Sequence, residues 1–206
     1  EQWEKYADRA AKSIDALTGF SEAVIAREVA ANLPEGSTLF VSSSRPIRDL
    51  EGFGAPRSGV RTYANRGLAG IDGNISTALG IASASKQTFA VLGDLSFLHD
   101  LTGLIHREDI DCCFIVINND GGGIFSTLPQ RGVDGFESVF GTPHGLDPAA
   151  IAIAMGISAS TISSIDELKK VLKSPDKGIS IVVANVASRD ENADSLKAIY
   201  ESMNSI

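Results

Sequence analysis

The stretch TFAVLGDLSFLHDLTGLIHREDIDCCFIVINNDGGG, residues 88–123, decides the fold of this chain. It opens with an apolar, β-rich run at Thr88 to Leu92, continues with a helical pattern at Ser96 to Arg107, and closes with a second β-rich run at Cys112 to Ile117. A strand, a helix and a strand in this order form a βαβ unit, whose two strands lie parallel. The stretch therefore predicts a parallel sheet.

The same alternation of strands and helices extends through most of the chain. Four more strands are predicted, at Leu39 to Ser42, Val60 to Ala64, Ala159 to Ile162 and Ile179 to Val186. Four more helices are predicted, at Ser21 to Leu33, Asn74 to Ala84, Pro148 to Met155 and Ile165 to Leu172, the last with a capping box formed by Ser164 and Glu167. We expect an α/β fold of three layers, doubly wound around a mostly parallel six-stranded sheet.

Three segments depart from this alternation. Residues 1–20 have a helical pattern, and we interpret them as a lead-in from an absent preceding domain, so that residues 21–206 form the main domain. The tail after Ala187 is predicted to be a terminal helix. Residues Gly121 to Leu146 are rich in Gly and Pro and lack periodicity. Because long irregular loops in compact α/β domains are usually functional, this segment is expected to contribute to a site.

Composition limits the classes of function. The chain has 206 residues, of which 43% are hydrophobic, so it can bury a substantial core. Its net charge of -8 disfavours binding to nucleic acid, which requires an excess of basic side chains. No run of apolar residues is long enough to predict a membrane span. Cys112 and Cys113 are adjacent in an apolar run, which suits buried reduced thiols and a cytoplasmic protein.

Polar residues follow the two strands of the deciding stretch. Asp94 follows the first strand and Asn119 follows the second. In a parallel sheet the carboxyl ends of neighbouring strands meet at one edge, where ligands bind. A carboxylate, an amide oxygen and the bare carbonyl of Gly121 are suitable ligands for Mg²⁺, which usually completes its octahedron with water or phosphate oxygens. The helix predicted to open at Ser96 would direct backbone N–H groups towards a diphosphate.

Each of these features also has a simpler interpretation. Asp94 alone is more often a helix N-cap, and NNDGGG alone is more often a tight turn with positive φ. A nucleotide site is the alternative for the whole constellation. However, the chain contains no G-x-x-x-x-G-K-[ST] motif, and Ser42-Ser43-Ser44 follows the first strand instead of G-x-G-x-x-G.

The arrangement G-D-x-S, then a helix and a strand, then N-N, resembles the motif of thiamin-diphosphate-dependent enzymes. Their usual motif reads G-D-G, whereas Leu95 occupies the third position here. That departure points to one family among these enzymes. The segment GDLSFLHDLTGL, followed by INNDGGGIFSTLPQ, is similar to the menaquinone-pathway synthase family MenD. The similarity extends from SEAVIAREVAANLPEGSTLFVSSSRPIRDL through YANRGLAGIDGNISTALG to FGTPHGLD, which is nearly the whole chain.

The resemblance implies a transferase that binds thiamin diphosphate and Mg²⁺, or Mn²⁺ in its place. Such an enzyme decarboxylates 2-oxoglutarate and adds the succinyl unit to isochorismate. The implied metal ligands are Asp94, Asn119 and the carbonyl of Gly121. The implied cofactor-binding residues are Ile71, Gly93, Asp94, Leu95, Ser96, Asn119, Gly121, Ile124 and Phe125. Ile71 would lie under the bend of the cofactor, and Ile124 and Phe125 would form apolar walls, although plain core is the alternative for all three.

The resemblance also implies substrate-binding roles for Ser44, Arg48 and Arg66. Arginine suits substrates with several carboxylates, because its planar fork can donate two hydrogen bonds to one carboxylate. The surrounding segment contains five arginines, which predict a local basic patch, with a solvated face as the alternative: Arg45, Arg48, Arg57, Arg61 and Arg66. His144, in GTPHGLD, is a weaker candidate for the site.

The resemblance finally implies that this chain holds half of an active site. In thiamin-diphosphate enzymes a Glu from a separate pyrimidine-binding domain activates the cofactor, normally from a partner subunit. We therefore expect a homo-oligomer, and no turnover by residues 1–206 alone. Two alternatives stay open at this point, another thiamin-diphosphate carboligase or decarboxylase, and a noncatalytic module that binds magnesium and an anion.

Overall fold

The computed structural model describes residues 2–105 and 109–204. It contains one sheet of six strands, all of them paired in parallel. The strands are β1 (Thr38–Val41), β2 (Arg61–Tyr63), β3 (Thr88–Gly93), β4 (Cys112–Asn118), β5 (Ser158–Ile162) and β6 (Ile179–Asn185). The six predicted strands are thus confirmed, with ends that differ by at most one residue.

Eight α-helices surround this sheet in the described residues. They are α1 (Gln2–Asp15), α2 (Glu22–Asn32), α3 (Arg45–Phe53), α4 (Asn74–Ala82), α5 (Asp94–His99), α6 (Pro148–Ala154), α7 (Ile165–Lys173) and α8 (Arg189–Asn204). None of the helices in this part of the chain is long and apolar enough to cross a membrane. The predicted capping box of α7 is confirmed, since the Ser164 hydroxyl accepts from the Glu167 N–H and donates to its carboxylate.

The core consists of two layers, one on each face of the sheet. Side chains along β4 alternate between them, so that Phe114 and Val116 pack with α4, α5 and α6, whereas Ile115 and Ile117 pack with α2 and α7. This period of two follows from the pleat of a strand whose two faces are both buried. The predicted three-layer, doubly wound α/β fold is confirmed. The adjacent cysteines are both buried thiols on opposite faces.

Two helix predictions need correction. The helix predicted at Ser96 to Arg107 begins at Asp94, ends at His99, and gives way to a 3₁₀ turn at Leu101–Ile105; its predicted end lies outside the described residues. The change has a tertiary cause, because the Asp100 carboxylate accepts from the backbone N–H and hydroxyl of Ser76 on α4.

The second correction concerns α3, which we did not predict. Arg48, an implied substrate-binding residue, lies on this helix. Pro46 occupies the first turn of α3, where its missing N–H costs nothing and its fixed φ suits a helix. That local signal was present in the sequence and was overlooked.

The ends of the chain pack on the same side of the molecule. Ile14 and Leu17, near the end of α1, contact the cluster of Ala23, Phe53 and Leu196, which joins α2, α3 and α8. The helical patterns predicted for the lead-in and for the tail are therefore seen as α1 and α8. The interpretation of residues 1–20 as a lead-in from another domain stays a prediction.

The order of strands locates the region where a ligand would bind. The order is β2-β1-β3-β4-β6-β5, so the chain leaves β1 towards one edge and returns to β3 on its other side. This reversal makes a topological switch point between β1 and β3, and ligands of open α/β sheets bind outside the carboxyl ends of the strands there. Ser43 and Ser44 follow β1, and Asp94 follows β3, at this crevice.

Candidate metal and diphosphate site

A cavity of about 460 Å³ opens at this switch point. That volume falls within the range of about 300–1,000 Å³ that small-molecule sites occupy. The residues with implied metal-, cofactor- and substrate-binding roles all line the cavity: Ser44, Arg48, Arg66, Ile71, Gly93, Asp94, Leu95, Ser96, Asn119, Gly121, Ile124 and Phe125. The structure thus brings these residues together, while their individual roles stay predictions.

Asp94 is a buried carboxylate of this cavity, with only 2% of its surface exposed. One carboxylate oxygen accepts from the Leu95 N–H at 2.7 Å, and the other accepts from the N–H groups of Asn119 at 3.2 Å and Gly121 at 2.9 Å. Asp94 therefore ties the start of α5 to the turn that follows β4. The Leu95 N–H therefore donates to Asp94. The sequence predicted instead that the helix begins at Ser96 and directs its first N–H groups towards a diphosphate, whereas the helix begins at Asp94.

Asn119 presents an amide oxygen that suits a metal ion. Its Nδ2 donates to Glu22 Oε1 at 2.6 Å, while its Oδ1 is buried and accepts from no donor in the described residues. A buried acceptor without a donor costs free energy, and a cation can satisfy it. Asp94 and Asn119 thus provide a carboxylate oxygen and an unused amide oxygen at adjacent strand ends, which fits Mg²⁺ or Mn²⁺.

Two positions in the turn after Asn119 accommodate only glycine. Gly121 has φ +132°, a conformation that L-residues rarely adopt, and a Cβ there would collide with the carbonyl oxygen of Gly141. A Cβ on Gly122 would likewise collide with the carbonyl of Phe140. The Gly122 N–H donates to the Gly141 carbonyl at 2.7 Å, which anchors the turn. The irregular segment predicted from Gly121 onward contains only short turns, a 3₁₀ turn at Gly123–Thr127 and a π-helical turn at Glu137–Gly141.

His144 joins the site from the far end of this segment. Its Nδ1 accepts from the Leu146 N–H at 3.0 Å, so the proton of the neutral ring is on Nε2, which lies 3.2 Å from Asp94 Oδ2. Asp120 holds the backbone of this loop, since its carboxylate accepts from the N–H groups of His144 and Gly145. The sequence signal was the GTPHGLD stretch, which indicated His144 only weakly.

A buried ionic network that sequence reasoning missed lies behind Asn119. Arg45 Nε is 3.6 Å from Glu22 Oε2, and the Arg45 guanidinium also contacts the Asp49 carboxylate. Burial raises the pKa of Glu22 above its ordinary value, against the opposing effects of Asn119 and Arg45. Burial also raises the pKa of Asp49 to about 7, although Arg45 opposes this shift. An acidic residue in the first turn of a helix normally indicates helix stabilisation, so Glu22 carried no distinct signal.

The predicted substrate-binding residues lie at the mouth of the cavity. Arg48 and Arg66 are exposed, and Arg48 Nη1 donates to the carbonyl of Ser44 at 2.7 Å. Ser44 precedes α3 with φ 75°, an uncommon conformation for a serine. The predicted basic patch of five arginines is wrong as a single surface. Arg57 instead donates to the carbonyls at the end of α2, and Arg45 is paired with acids.

Apolar side chains form another part of the lining. Ile71 is 38% exposed, and its carbonyl accepts from the Ser96 hydroxyl, which in turn accepts from Asn74 Nδ2 at 2.8 Å. Ile124 and Phe125 are half-buried at the cavity wall. These three side chains therefore face the cavity instead of the closed core, which excludes the plain-core alternative for them.

The site offers few protein ligands, which suits a metal ion that is also coordinated by phosphate oxygens. In residues 2–105 and 109–204, no group of three or more His, Cys, Asp and Glu is placed to hold an ion. A dedicated protein cage is therefore absent from this part of the chain. A site with one carboxylate, one amide oxygen and backbone carbonyls matches the few protein ligands that Mg²⁺ takes beside substrate phosphates.

Comparison with known proteins identifies the family to which this chain belongs. Residues 52–184 match the family described as thiamine pyrophosphate enzyme, C-terminal TPP binding domain. The chain therefore belongs to this family, which decides against the nucleotide-site alternative.

More specific relatives are 2-succinyl-5-enolpyruvyl-6-hydroxy-3-cyclohexene-1-carboxylate synthases. The one from Thermobifida fusca (strain YX) is 45% identical over 77% of this chain and 30% of its own length. The one from Bacillus cytotoxicus is 37% identical over 93% of this chain and 34% of its own length. The chain thus spans about a third of the length of these relatives.

A solved structure of low sequence identity supports the fold alone. The thiamine diphosphate-dependent 4-hydroxybenzoylformate decarboxylase of Rhodococcus jostii RHA1 is 17% identical to this chain. It superposes with a TM-score of 0.64 over 85% of this chain and 34% of its own.

Proposed function

We propose that this chain is the diphosphate- and metal-binding part of a thiamin-diphosphate-dependent transferase, a 2-succinyl-5-enolpyruvyl-6-hydroxy-3-cyclohexene-1-carboxylate synthase. The whole enzyme decarboxylates 2-oxoglutarate and adds the succinyl unit to isochorismate in menaquinone biosynthesis. Relatives that carry this name, at 36–45% identity, support the proposal. Sequence signals of a reduced, soluble protein favour a cytoplasmic location.

The observation that carries the proposal is the buried Oδ1 of Asn119, which has no donor in the described residues; the backbone N–H of the same residue donates to the Asp94 carboxylate. A cation between these two oxygens would satisfy the amide and partly neutralise the carboxylate. In the proposed site Asp94, Asn119 and the carbonyl of Gly121 would hold Mg²⁺, or Mn²⁺ in its place, beside the diphosphate. Gly93, Leu95 and Ser96 line the diphosphate side.

Thiamin diphosphate supplies the electron sink for the decarboxylation when it is bound. The residues of this chain position it and control what reaches it. Ile71 supports the bend of the cofactor, and Ile124 and Phe125 keep water from the reacting carbon. Phe125 packs against Phe140, with ring centroids 5.4 Å apart, so this wall is braced by the irregular segment.

Ser44, Arg48 and Arg66 are proposed to bind the carboxylates of the two substrates. Both arginines line the cavity and are exposed, whereas Asp94, which lines the same cavity, is buried. An exposed guanidinium becomes desolvated when a substrate covers it, and a bidentate pair with a carboxylate then fixes the orientation of the substrate. We refer to the exposed arginines as the substrate end of the cavity and to the buried Asp94 as its metal end.

The other half of the proposed site belongs to a pyrimidine-binding domain outside this chain. We assign the Glu that activates the cofactor to that domain, contributed by a partner subunit, which makes the whole enzyme a homo-oligomer. The span of about a third of the relatives' length is consistent with this division.

The test is an assay of the intact polypeptide with 2-oxoglutarate and isochorismate, in the presence of thiamin diphosphate and Mg²⁺. The proposal predicts turnover that requires both substrates, and none by residues 1–206 alone. Decarboxylation of other 2-oxo acids without use of isochorismate would indicate another carboligase or decarboxylase. Cofactor binding without any turnover would indicate a noncatalytic module.

A further inference from the structure

Glu22 is a buried carboxylate, outside the set of predicted ligands, that contacts the proposed metal ligand Asn119. It lies in the first turn of α2, is 6% exposed, and lines the metal end of the cavity. Its Oε1 accepts from Asn119 Nδ2 at 2.6 Å, which is short for a hydrogen bond from an amide. Its Oε2 faces Arg45 at 3.6 Å, and Arg45 is also held by Asp49.

This contact determines which end of the Asn119 amide faces Glu22. A side-chain amide can rotate by 180° and exchange its oxygen and its NH₂ group, but an ionised carboxylate can only accept hydrogen bonds. Glu22 therefore selects the orientation in which Nδ2 points at the carboxylate. Oδ1 then points away from it, and this is the buried oxygen that accepts from no described donor. In the reversed orientation Asn119 would present N–H donors where a cation needs an oxygen.

Arg45 explains why a carboxylate can occupy this place. The nearby charges that face Glu22 are Arg45, which is attractive, and Asp94 and Asp49, which are repulsive. Arg45 is held on α3 by its contact with Asp49, one turn further along the same helix. The network therefore joins three elements, α2, α3 and the turn after β4, and it fixes Glu22 as well as Asn119.

We propose that Glu22 is a positioning residue that holds the Asn119 amide with its oxygen towards the metal. This inference rests on the proposed function, and it adds a residue that acts on metal affinity without being a ligand. Partners that orient metal ligands typically contribute about 10- to 100-fold to metal affinity. We expect a loss of this size when Glu22 is replaced by Ala.

The test measures metal binding directly in the intact polypeptide. Mn²⁺ affinity is followed by electron paramagnetic resonance with thiamin diphosphate present, and thermal unfolding is followed in parallel. Glu22→Ala should lower Mn²⁺ affinity by about 10- to 100-fold. Glu22→Gln, which keeps an acceptor oxygen but can also donate, should lie between wild type and Glu22→Ala. Wild-type Mn²⁺ affinity in both variants would overturn the proposal.

A matched control exists on the same helix. Glu28 is 8% exposed, accepts from the Asn32 amide at 3.0 Å, and pairs with Arg27 and Lys169, but it does not line the cavity. Glu28→Ala should therefore lower thermal stability without changing Mn²⁺ affinity. An equal loss of Mn²⁺ affinity in Glu28→Ala would show that any buried charge lost from α2 has this effect, and would contradict positioning by Glu22.

A double-mutant cycle separates orientation from simple electrostatic attraction. If Glu22 acts through Asn119, Glu22→Ala should have no further effect on Mn²⁺ affinity in an Asn119→Ala background. The same fold-loss in both backgrounds would refute positioning. Unchanged Mn²⁺ affinity in Asn119→Ala itself would instead refute the proposed metal site, so the two failures are distinguishable.

Discussion

The replacement Asp94→Asn tests the metal site with the least disturbance of the fold. Asp94 Oδ2 accepts from the N–H groups of Asn119 and Gly121 and lies 3.2 Å from His144 Nε2, and Oδ1 accepts from the Leu95 N–H. An asparagine can place its amide oxygen at the position of Asp94 Oδ2 and keep three of these four contacts. The lost contact with Leu95 should cost about 0.5–1.5 kcal/mol of stability.

Asp94→Ala would be far less informative. It removes the acceptor from three donors around Oδ2, and each buried donor left unpaired costs about 1–3 kcal/mol. The total, about 3–9 kcal/mol, is comparable to the whole stability of a domain. Loss of cofactor binding in that variant could therefore result from unfolding.

The effect of Asp94→Asn on the metal follows from Coulomb's law. A divalent cation about 2.1 Å from a carboxylate oxygen gains about 4 kcal/mol from that charge even at the dielectric constant of bulk water. The amide dipole restores part of this energy. We therefore expect the Mg²⁺ dependence of thiamin-diphosphate binding to shift by about a hundredfold or more, because 1.4 kcal/mol is about tenfold.

The assay is calorimetric titration of the intact polypeptide with thiamin diphosphate at several Mg²⁺ concentrations. Asp100→Asn is the matched control, because Asp100 is also buried, accepts from the Ser76 N–H at 2.8 Å, and does not line the cavity. The control should keep the wild-type Mg²⁺ dependence. The assignment of Asp94 as a metal ligand is refuted if Asp94→Asn keeps it too, or if both variants lose it equally.

Three further predictions concern the substrate end, the buried network and the glycine turn. Arg48→Ala and Arg66→Ala should each lower kcat/KM by about 10- to 100-fold, with unchanged cofactor affinity. The Lys variants should recover part of the lost kcat/KM. A parallel loss of kcat/KM and cofactor affinity would contradict a substrate role. Because burial raises the pKa of Asp49 to about 7, its contribution to stability is present below about pH 4 and is lost as pH rises through about 7. Asp49→Asn should remove this dependence of stability on pH, which amounts to at most about 4 kcal/mol. Thermal unfolding curves measured between these pH values test this, and an unchanged dependence would rule out Asp49 as its source. Gly121→Ala should lower the unfolding temperature much more than Gly132→Ala. Both glycines have positive φ, but a Cβ on Gly132 meets no atom within 4 Å. Equal effects would show that the collision with the Gly141 carbonyl does not matter.

The sequence by itself determined the class of fold and the residues proposed for the metal end of the cavity. Strands such as β3 and β4 are recognisable because a strand buried on both faces is a short, continuous apolar run with turn residues after it. Asp94 and Asn119 were identifiable because they follow such strands directly, and the carboxyl ends of parallel neighbours share one edge. These are properties of local sequence together with one general rule of topology.

Only the tertiary structure decided which residues support those ligands. Glu22 and Asn119 are 97 positions apart, and their contact depends on the packing of α2 against the sheet, which no local pattern encodes. The contact of His144 with Asp94 likewise depends on a segment without periodicity, which is held by Asp120. The end of α5 at His99 was decided by Asp100, which bonds to α4 instead of continuing the helix. In each case a hydrogen bond between distant segments outweighs local preference, because a buried polar group must find a partner wherever the fold places one.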